Sequence, residues 1–173
     1  PHPPSPLAAA APRRPRACAA GGPRRRPAGA RSGPPRGGRA APGGGLWDIG
    51  AGSGAIGLEW LRARPEGQVF AIEPHGERRG FMDKNARRFG LGYDEHDRFT
   101  VSGAHAPDAF DAAGFSPDAV FVGGGLDAAL LGWLTTHLPR GTRIVANAVT
   151  LESEAILLAA HARHGGELVG PGR

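Results

Sequence analysis

The sequence has 173 residues and only one cysteine, Cys18. A single cysteine excludes an internal disulfide framework and a metal site built on several cysteines, and it fits a cytoplasmic location. No apolar run reaches the roughly 20 residues needed to cross a bilayer, and no charged-then-apolar signal pattern opens the chain. We therefore expect a chain that does not act at a membrane and holds no metal.

Acidic residues are absent from positions 1–45, where nine of the 21 Lys and Arg residues lie. Residues 46–173 therefore hold the other 12 basic residues and all 16 acidic ones, a net charge of −4. The formal charge of +5 for the whole chain thus comes from the first segment. It does not indicate a nucleic-acid partner for the remainder.

Residues 1–45 consist almost entirely of Ala, Gly, Pro and Arg, and they lack Val, Ile, Phe, Tyr, Trp and Met. Such a segment buries too little apolar surface to offset its ordering entropy, so we expect it to be disordered. A basic arm for nucleic acid and an Arg-rich transit peptide are two alternatives, although stacking aromatics are missing and prolines oppose an amphipathic helix. A third hypothesis is frameshifted sequence, because these four amino acids have codons made only of G and C; residues 170–173 look similar.

From residue 46 onward, strand and helix patterns alternate. Strands are predicted at 46–49, 68–72, 98–101, 119–122, 143–146 and 167–169, and helices at 55–64, 77–89, 107–113, 127–138 and 152–164. Phe81, Met82 and Phe89 are predicted to face inward from the second helix. The pattern predicts one Rossmann-like α/β domain over 46–173, with a mostly parallel sheet covered by helices on both faces. Since the chain ends soon after the sixth strand begins, we expect the sheet to lack its last strands.

A glycine-rich loop follows the first strand, with glycines at positions 50, 52 and 54 directly before a helix. Glycines at such a turn let the backbone approach a ligand closely, and the helix N–H groups point toward it. Asp48, two residues before the first glycine, can orient this loop or meet a ligand's ammonium group. Glu73 ends the second strand, where an acid in this fold class accepts both ribose hydroxyls.

The loop is compatible with two nucleotides. Residues 52–57 also fit the dinucleotide pattern GxGxxG, which would suit NAD. Glycines at alternating positions preceded by Asp48 favour S-adenosylmethionine (SAM), because a dinucleotide loop usually has an apolar residue there and must leave room for a pyrophosphate. SAM is the favoured cofactor.

Four segments carry a more specific resemblance: LWDIGAGSGAIGLEWLR, VFAIEPHGERRGFMDKNARRFGL, AVFVGGG and IVANAVTLESEAIL. From about residue 46 to 169, the chain resembles the C-terminal domain of the precorrin-6Y C5,15-methyltransferase (decarboxylating) family of cobalamin biosynthesis. The resemblance implies a class I SAM-dependent methyltransferase that methylates C15 of a tetrapyrrole and releases carbon dioxide from its C12 acetate. It also implies a homo-oligomer, which can act with a separate C5-methylating domain.

The resemblance also implies which residues bind. The cofactor would be held by Asp48, Gly50, Ala51, Gly52, Ser53, Gly54, Glu73, Gly103 and Ala104. The tetrapyrrole would face Gly123, Gly124, Gly125 and Asn147. No catalytic side chain is assigned, because the SAM methyl group is already activated by its sulfonium and the enzyme mainly positions the reactants.

Three alternatives remain open on the sequence. One is another class I SAM methyltransferase acting on a small molecule, RNA or protein, although the fourth strand ends in three glycines rather than the Asn/Asp-Pro-Pro-aromatic motif of base-amine methyltransferases. Another is a non-catalytic fragment that binds SAM poorly or not at all. The last is an NAD-linked oxidoreductase.

Overall fold

The computed structural model describes residues 16–19, 38–39, 43–91 and 98–170. The strands are β1 (Arg16–Ala19), β2 (Gly38–Arg39), β3 (Gly45–Ile49), β4 (Gln68–Ile72), β5 (Phe99–Ser102), β6 (Phe115–Ser116), β7 (Ala119–Val122), β8 (Arg143–Ala148) and β9 (Glu167–Val169). The helices are α1 (Ala55–Ala63), α2 (Gly76–Arg88), α3 (Ala128–His137) and α4 (Leu151–His164), with a 3₁₀ helix at Asp108–Ala112. All the predicted strands and helices from residue 46 onward are present, with their bounds shifted by one or two residues.

Seven strands form the main sheet in the order β5-β4-β3-β7-β8-β1-β9. The five strands from β5 to β8 in this order are parallel to one another. Strand β3 is central, and its Asp48 lies between Ala71 of β4 and Phe121 of β7. The predicted parallel α/β sheet is confirmed, and the carboxyl ends of five strands meet along one edge.

The core lies on both faces of the sheet, because neighbouring residues of a strand point to opposite sides. Leu46 packs on one face in a cluster with Leu61 of α1 and Met82 of α2. Trp47 packs on the other face, where it stacks on Phe110 with ring centroids 4.7 Å apart and shares a cluster with residues of α3 and α4. Helices therefore cover both faces, as the alternation of elements predicts.

Two short strands come from the segment that we expected to be disordered. Strand β1 pairs antiparallel with both β8 and β9, and β2 pairs parallel with β6. At these positions the expectation differs from the structure, because strand pairing uses backbone N–H and C=O groups that every residue except proline supplies. We expected the sheet to lack its last strands. In the structure, β1 lies between β8 and β9. The expected disorder of the other residues in 1–42 concerns positions outside the described residues. The same holds for residues 171–173, which we suggested are frameshifted.

The prediction for the buried face of α2 is wrong in part. Met82 is buried, whereas Phe81 and Phe89 are each about half exposed. In the part of the chain that the structure describes, no helix is long and apolar enough to cross a membrane.

The position of β1 predicts that β9 depends on it. Ala17 pairs with Asn147 of β8 on one side and with Val169 of β9 on the other. Proline has no N–H and disrupts a central strand, so Ala17→Pro is expected to speed amide exchange in β9 by at least about tenfold. Hydrogen exchange followed by mass spectrometry measures this, and Ala17→Ser, which keeps the N–H, is the control. Unchanged exchange in β9 of the proline variant would show that β1 does not hold it.

Candidate active site

Backbone hydrogen bonds join the carboxyl ends of three strands. The N–H groups of Gly50 and Ala51, which follow β3, both donate to the carbonyl of Ile72 in β4, at 2.9 and 3.0 Å. On the other side, the N–H of Gly123 after β7 donates to the carbonyl of Ile49 at 2.8 Å. The loop at residues 50–54 is therefore fixed from both sides.

The two glycine-rich loops approach each other with no side chain between them. A Cβ atom on Gly50 would lie 2.7 Å from the carbonyl oxygen of Gly124 and 2.8 Å from its nitrogen. Gly50 also has a φ of +67°, a backbone conformation that L-residues with a side chain rarely adopt. The structure thus brings the first loop and the triple glycine together, which their separation in sequence does not reveal.

The middle of the first loop is open. Gly52 has a φ of +58°, and a Cβ atom there would meet nothing within 4 Å. Ser53 is exposed, and Gly54 immediately precedes α1 and donates its N–H to the carbonyl of Ala51 at 2.9 Å. Because the loop carries little side chain, a ligand can reach its backbone directly.

Glu73 lies directly after β4, and its side chain is 1% exposed. Its Oε2 accepts the N–H of Gly52 at 2.9 Å, and its Oε1 accepts the N–H of His75 at 3.0 Å. An ionised carboxylate can accept about four hydrogen bonds, so each oxygen keeps capacity for one more donor. The guanidinium of Arg78, whose side chain is 60% exposed, lies 3.9 Å from Oε2.

Asp48 is a second buried carboxyl group. Its Oδ2 accepts the N–H of Gly57 in α1 at 3.1 Å, which ties the strand to the helix that follows the loop. Its Oδ1 is buried and has no hydrogen-bond partner among the described residues. Burial, and to a lesser degree the nearby charge of Glu73, raise the pKa of Asp48 from 3.8 to about 7, although the Gly57 N–H opposes the rise.

Gly103 and Ala104 follow β5 and are exposed. They lie at the same edge as Glu73, whose N–H donates to the carbonyl of Ser102 at 3.1 Å. A Cβ atom on Gly103 would lie 3.0 Å from the guanidinium carbon of Arg79. These residues border the end of the site beyond Glu73.

The residues predicted to face the substrate lie on the opposite side of the first loop. Gly123, Gly124 and Gly125 follow β7, and Asn147 is a buried residue near the end of β8. Val122 and Ala146 are partners in the pairing of β7 with β8, so Gly123 and Asn147 follow them at one level of the sheet. The predicted cofactor and substrate residues therefore share one edge.

Sequence reasoning missed two residues of α2 that hold this edge in place. The Nη1 group of Arg79 donates to the carbonyls of Glu73 and Pro74, at 2.8 and 2.7 Å, and so fixes the turn after β4. The side-chain amide of Asn85 donates to the carbonyl of Ser53 at 3.1 Å. Both belong to a helix rich in charged residues, where no spacing distinguishes them from solvent-facing neighbours.

Comparison with known proteins identifies the family. Residues 39–170 match the family described as the precorrin methyltransferase domain. The chain belongs to this family. It is 44% identical to the crystal structure of the C-terminal domain of precorrin-6Y C5,15-methyltransferase from Rhodobacter capsulatus, with a TM-score of 0.65, covering 78% of this chain and 68% of that one.

Two curated relatives of this precorrin methyltransferase domain differ in length. Precorrin-6Y C(5,15)-methyltransferase from Mycobacterium tuberculosis is 47% identical over 128 residues, which are 73% of this chain but 31% of that protein. Cobalt-precorrin-6B C(15)-methyltransferase from Salmonella typhimurium is 33% identical over 110 residues, covering 62% of this chain and 53% of that protein. The chain thus spans about a third of the first relative and about half of the second.

The family decides between the open alternatives for the cofactor. A class I methyltransferase takes its methyl group from SAM, so the predicted SAM cofactor and fold are confirmed and the NAD-linked oxidoreductase is set aside. The roles of individual residues remain predictions.

The close approach of the two loops predicts a difference between two alanine variants. Gly50→Ala places a Cβ against the backbone of Gly124 at a positive φ, so we expect it to lower the free energy of unfolding by about 2 kcal/mol or more. Gly124→Ala meets nothing within 4 Å and is expected to change it by less than about 0.5 kcal/mol. Chemical denaturation of both variants measures the difference. Equal stabilities would contradict this contact.

The environment of Asp48 predicts a pH dependence of stability. Because its pKa is about 7 when folded and near 3.8 when unfolded, the unfolded chain binds fewer protons between these values. Stability should therefore fall as pH rises from about 4 to 7, by about 1.4 kcal/mol per unit from this group, with the full cost present above pH 7.

Asp48→Asn removes this titration while its amide oxygen can still accept the Gly57 N–H. Thermal unfolding between pH 5 and 8 is expected to show a smaller loss of stability in the variant than in the parent chain. Parallel curves for the two proteins would contradict the raised pKa.

Proposed function

We propose that this domain transfers a methyl group from SAM to C15 of a corrin precursor and promotes loss of carbon dioxide from the precursor's C12 acetate. The proposal rests on which part of each relative the chain matches. It matches the C-terminal domain of the precorrin-6Y C5,15-methyltransferases, and it also matches a relative named for C(15) methylation alone. The shared region thus corresponds to the C15 reaction.

The site fits the proposed position of SAM. The free capacity of both Glu73 oxygens suits the two ribose hydroxyls, and the exposed side chain of Arg78 can move aside to admit them. The open backbone at Gly52 suits the amino-acid portion, with Asp48 orienting the loop through Gly57. Gly103 and Ala104, at the end of β5, would border the adenine.

The acceptor side suits a large ring. SAM supplies a methyl group activated by a sulfonium, and the electron pair for the new carbon–carbon bond comes from the tetrapyrrole. In the decarboxylation, the bond to the carboxylate breaks, its electron pair stays on the remaining carbon, and a proton adds there. A Cβ atom on Gly124 or Gly125 would meet nothing within 4 Å, so these glycines leave space beside the cofactor loop, whereas Gly123 packs closely against Gly50. Asn147 lies next to them, so this edge can position the ring for in-line transfer.

The proposal extends to partners. We infer that the domain works as a homo-oligomer, as the family resemblance implies. We also infer that a separate domain or protein methylates C5, since the part that the chain matches in a relative named for both positions is its C-terminal domain. The predicted cytoplasmic location remains a prediction.

Removing the Glu73 carboxylate tests the proposed cofactor site. Glu73→Ala is expected to weaken SAM binding by at least about tenfold, roughly 1.4 kcal/mol, because charged hydrogen bonds to the ribose are lost. Isothermal titration calorimetry measures the dissociation constant. Glu66→Ala is the matched control, because Glu66 is an exposed acid in the turn before β4, at the opposite end of the strand. Equal affinity of the two variants would place the ribose elsewhere.

The reaction itself is tested by incubating the purified chain with SAM and the corrin precursor. The proposal expects a product that has gained one methyl group and lost one carbon dioxide, observed by mass spectrometry, and Glu73→Ala should slow its formation. Methylation without release of carbon dioxide, or SAM binding without any methylation of the ring, would contradict the proposal.

A further inference from the structure

Helix α4 is apolar on two faces, and only one of them packs against the sheet. Ser153, Leu157 and Ala160 are buried on the inner face. The outer face carries Leu151, which is 81% exposed, and Leu158, which is 52% exposed. An amphipathic surface helix normally has polar residues in these positions.

The outer residues form a continuous line along α4, which we call the outer stripe: Leu151, Ala155, Leu158 and Ala162, all of them exposed. Their spacings of four, three and four residues keep them on one side of the helix, as at the contact positions of a coiled coil. Two large side chains thus alternate with two small ones along two heptads. Exposed leucines in such a pattern mark a surface for another helix.

We propose that the outer stripe pairs with the outer stripe of a second copy of this chain, with the two α4 helices antiparallel about a two-fold axis. When the axis passes between Ile156 and Leu157, Leu151 lies opposite the partner's Ala162, and Leu158 lies opposite the partner's Ala155. Each large side chain then fills the space left by a small one, so the pattern is complementary to itself.

The charges at the two ends of α4 favour the antiparallel direction. Glu152 is an acid in the first turn and Arg163 a base in the last turn, and both are exposed. At 100° per residue the two lie on the same side of the outer stripe, and in an antiparallel pair equivalent sides face each other. Glu152 then lies near the partner's Arg163, and the symmetry makes this pair twice. In a parallel pair, Glu152 and the partner's Arg163 would instead lie at opposite ends of the paired helices.

The size of the contact sets the expected strength. Helix α4 has 14 residues and a length of about 21 Å, so one helix pair buries less than the roughly 1,600 Å² of a typical stable interface. A reversible dimer with a dissociation constant in the micromolar range is expected. This inference rests on the proposed homo-oligomer but not on the methylation chemistry. Sedimentation can therefore show no dimer while the chain still methylates its substrate, or the reverse.

Analytical ultracentrifugation of the full chain over two decades of concentration tests the interface. Leu158→Glu is expected to weaken the dimer by at least about tenfold, because it places two like charges in the contact. Phe81→Glu is the matched control, since Phe81 is similarly exposed but lies on α2. A monomeric parent chain, or equal weakening by both variants, would overturn the proposal.

A charge exchange tests the direction of the pair. Glu152→Arg and Arg163→Glu are each expected to weaken the dimer several-fold, and the double variant is expected to regain the parent affinity, because it restores opposite charges between copies. Circular dichroism confirms that α4 remains folded in each variant. A double variant as weak as either single one, in a folded chain, would show that the helices do not pair antiparallel in this register.

Discussion

Backbone hydrogen bonds hold together the carboxyl ends of β3, β4 and β7. Ile72 accepts from the first loop, Gly123 donates to Ile49, and any side chain on Gly50 would overlap Gly124. Every other feature of the site depends on this approach. It fixes the loop beside Glu73 on one side, and on the other it brings the triple glycine against the same loop. The contact requires glycine at position 50, and a Cβ on Gly123 would lie 3.0 Å from the Gly50 carbonyl oxygen, so one packing constraint links two loops some 70 residues apart.

The proposed SAM site contains two buried carboxyl groups, which suit a cationic cofactor. Each oxygen of Glu73 accepts one backbone N–H, from Gly52 in the loop and from His75 in the turn. Oδ1 of Asp48 has no hydrogen-bond partner among the described residues. Burying such groups without compensation is costly. SAM carries a sulfonium and an ammonium charge, so its binding would offset that cost.

The sequence was sufficient to predict those parts of the molecule that local patterns determine. The alternation of elements, the loop at residues 50–54 and the positions of Asp48 and Glu73 follow from periodicity and spacing. Strand β1 was missed because its pairing uses backbone groups, which leave no mark in a segment of Ala, Gly, Pro and Arg. Arg79 and Asn85 were missed for a related reason: their partners are backbone carbonyls, and a charged helix offers many similar side chains that make no such contact.

Helix α4 illustrates a limit that apolar periodicity cannot overcome. Leu157 and Leu158 are adjacent and equally apolar, yet one packs on the sheet and the other faces outward. Periodicity alone predicts a helix there but does not choose between its two apolar faces, because the choice depends on where the sheet lies. Once the sheet has covered the inner face, the exposed leucines lie outside the core that the described residues form. Their alternation of large and small residues is the basis of the proposed contact with a second copy.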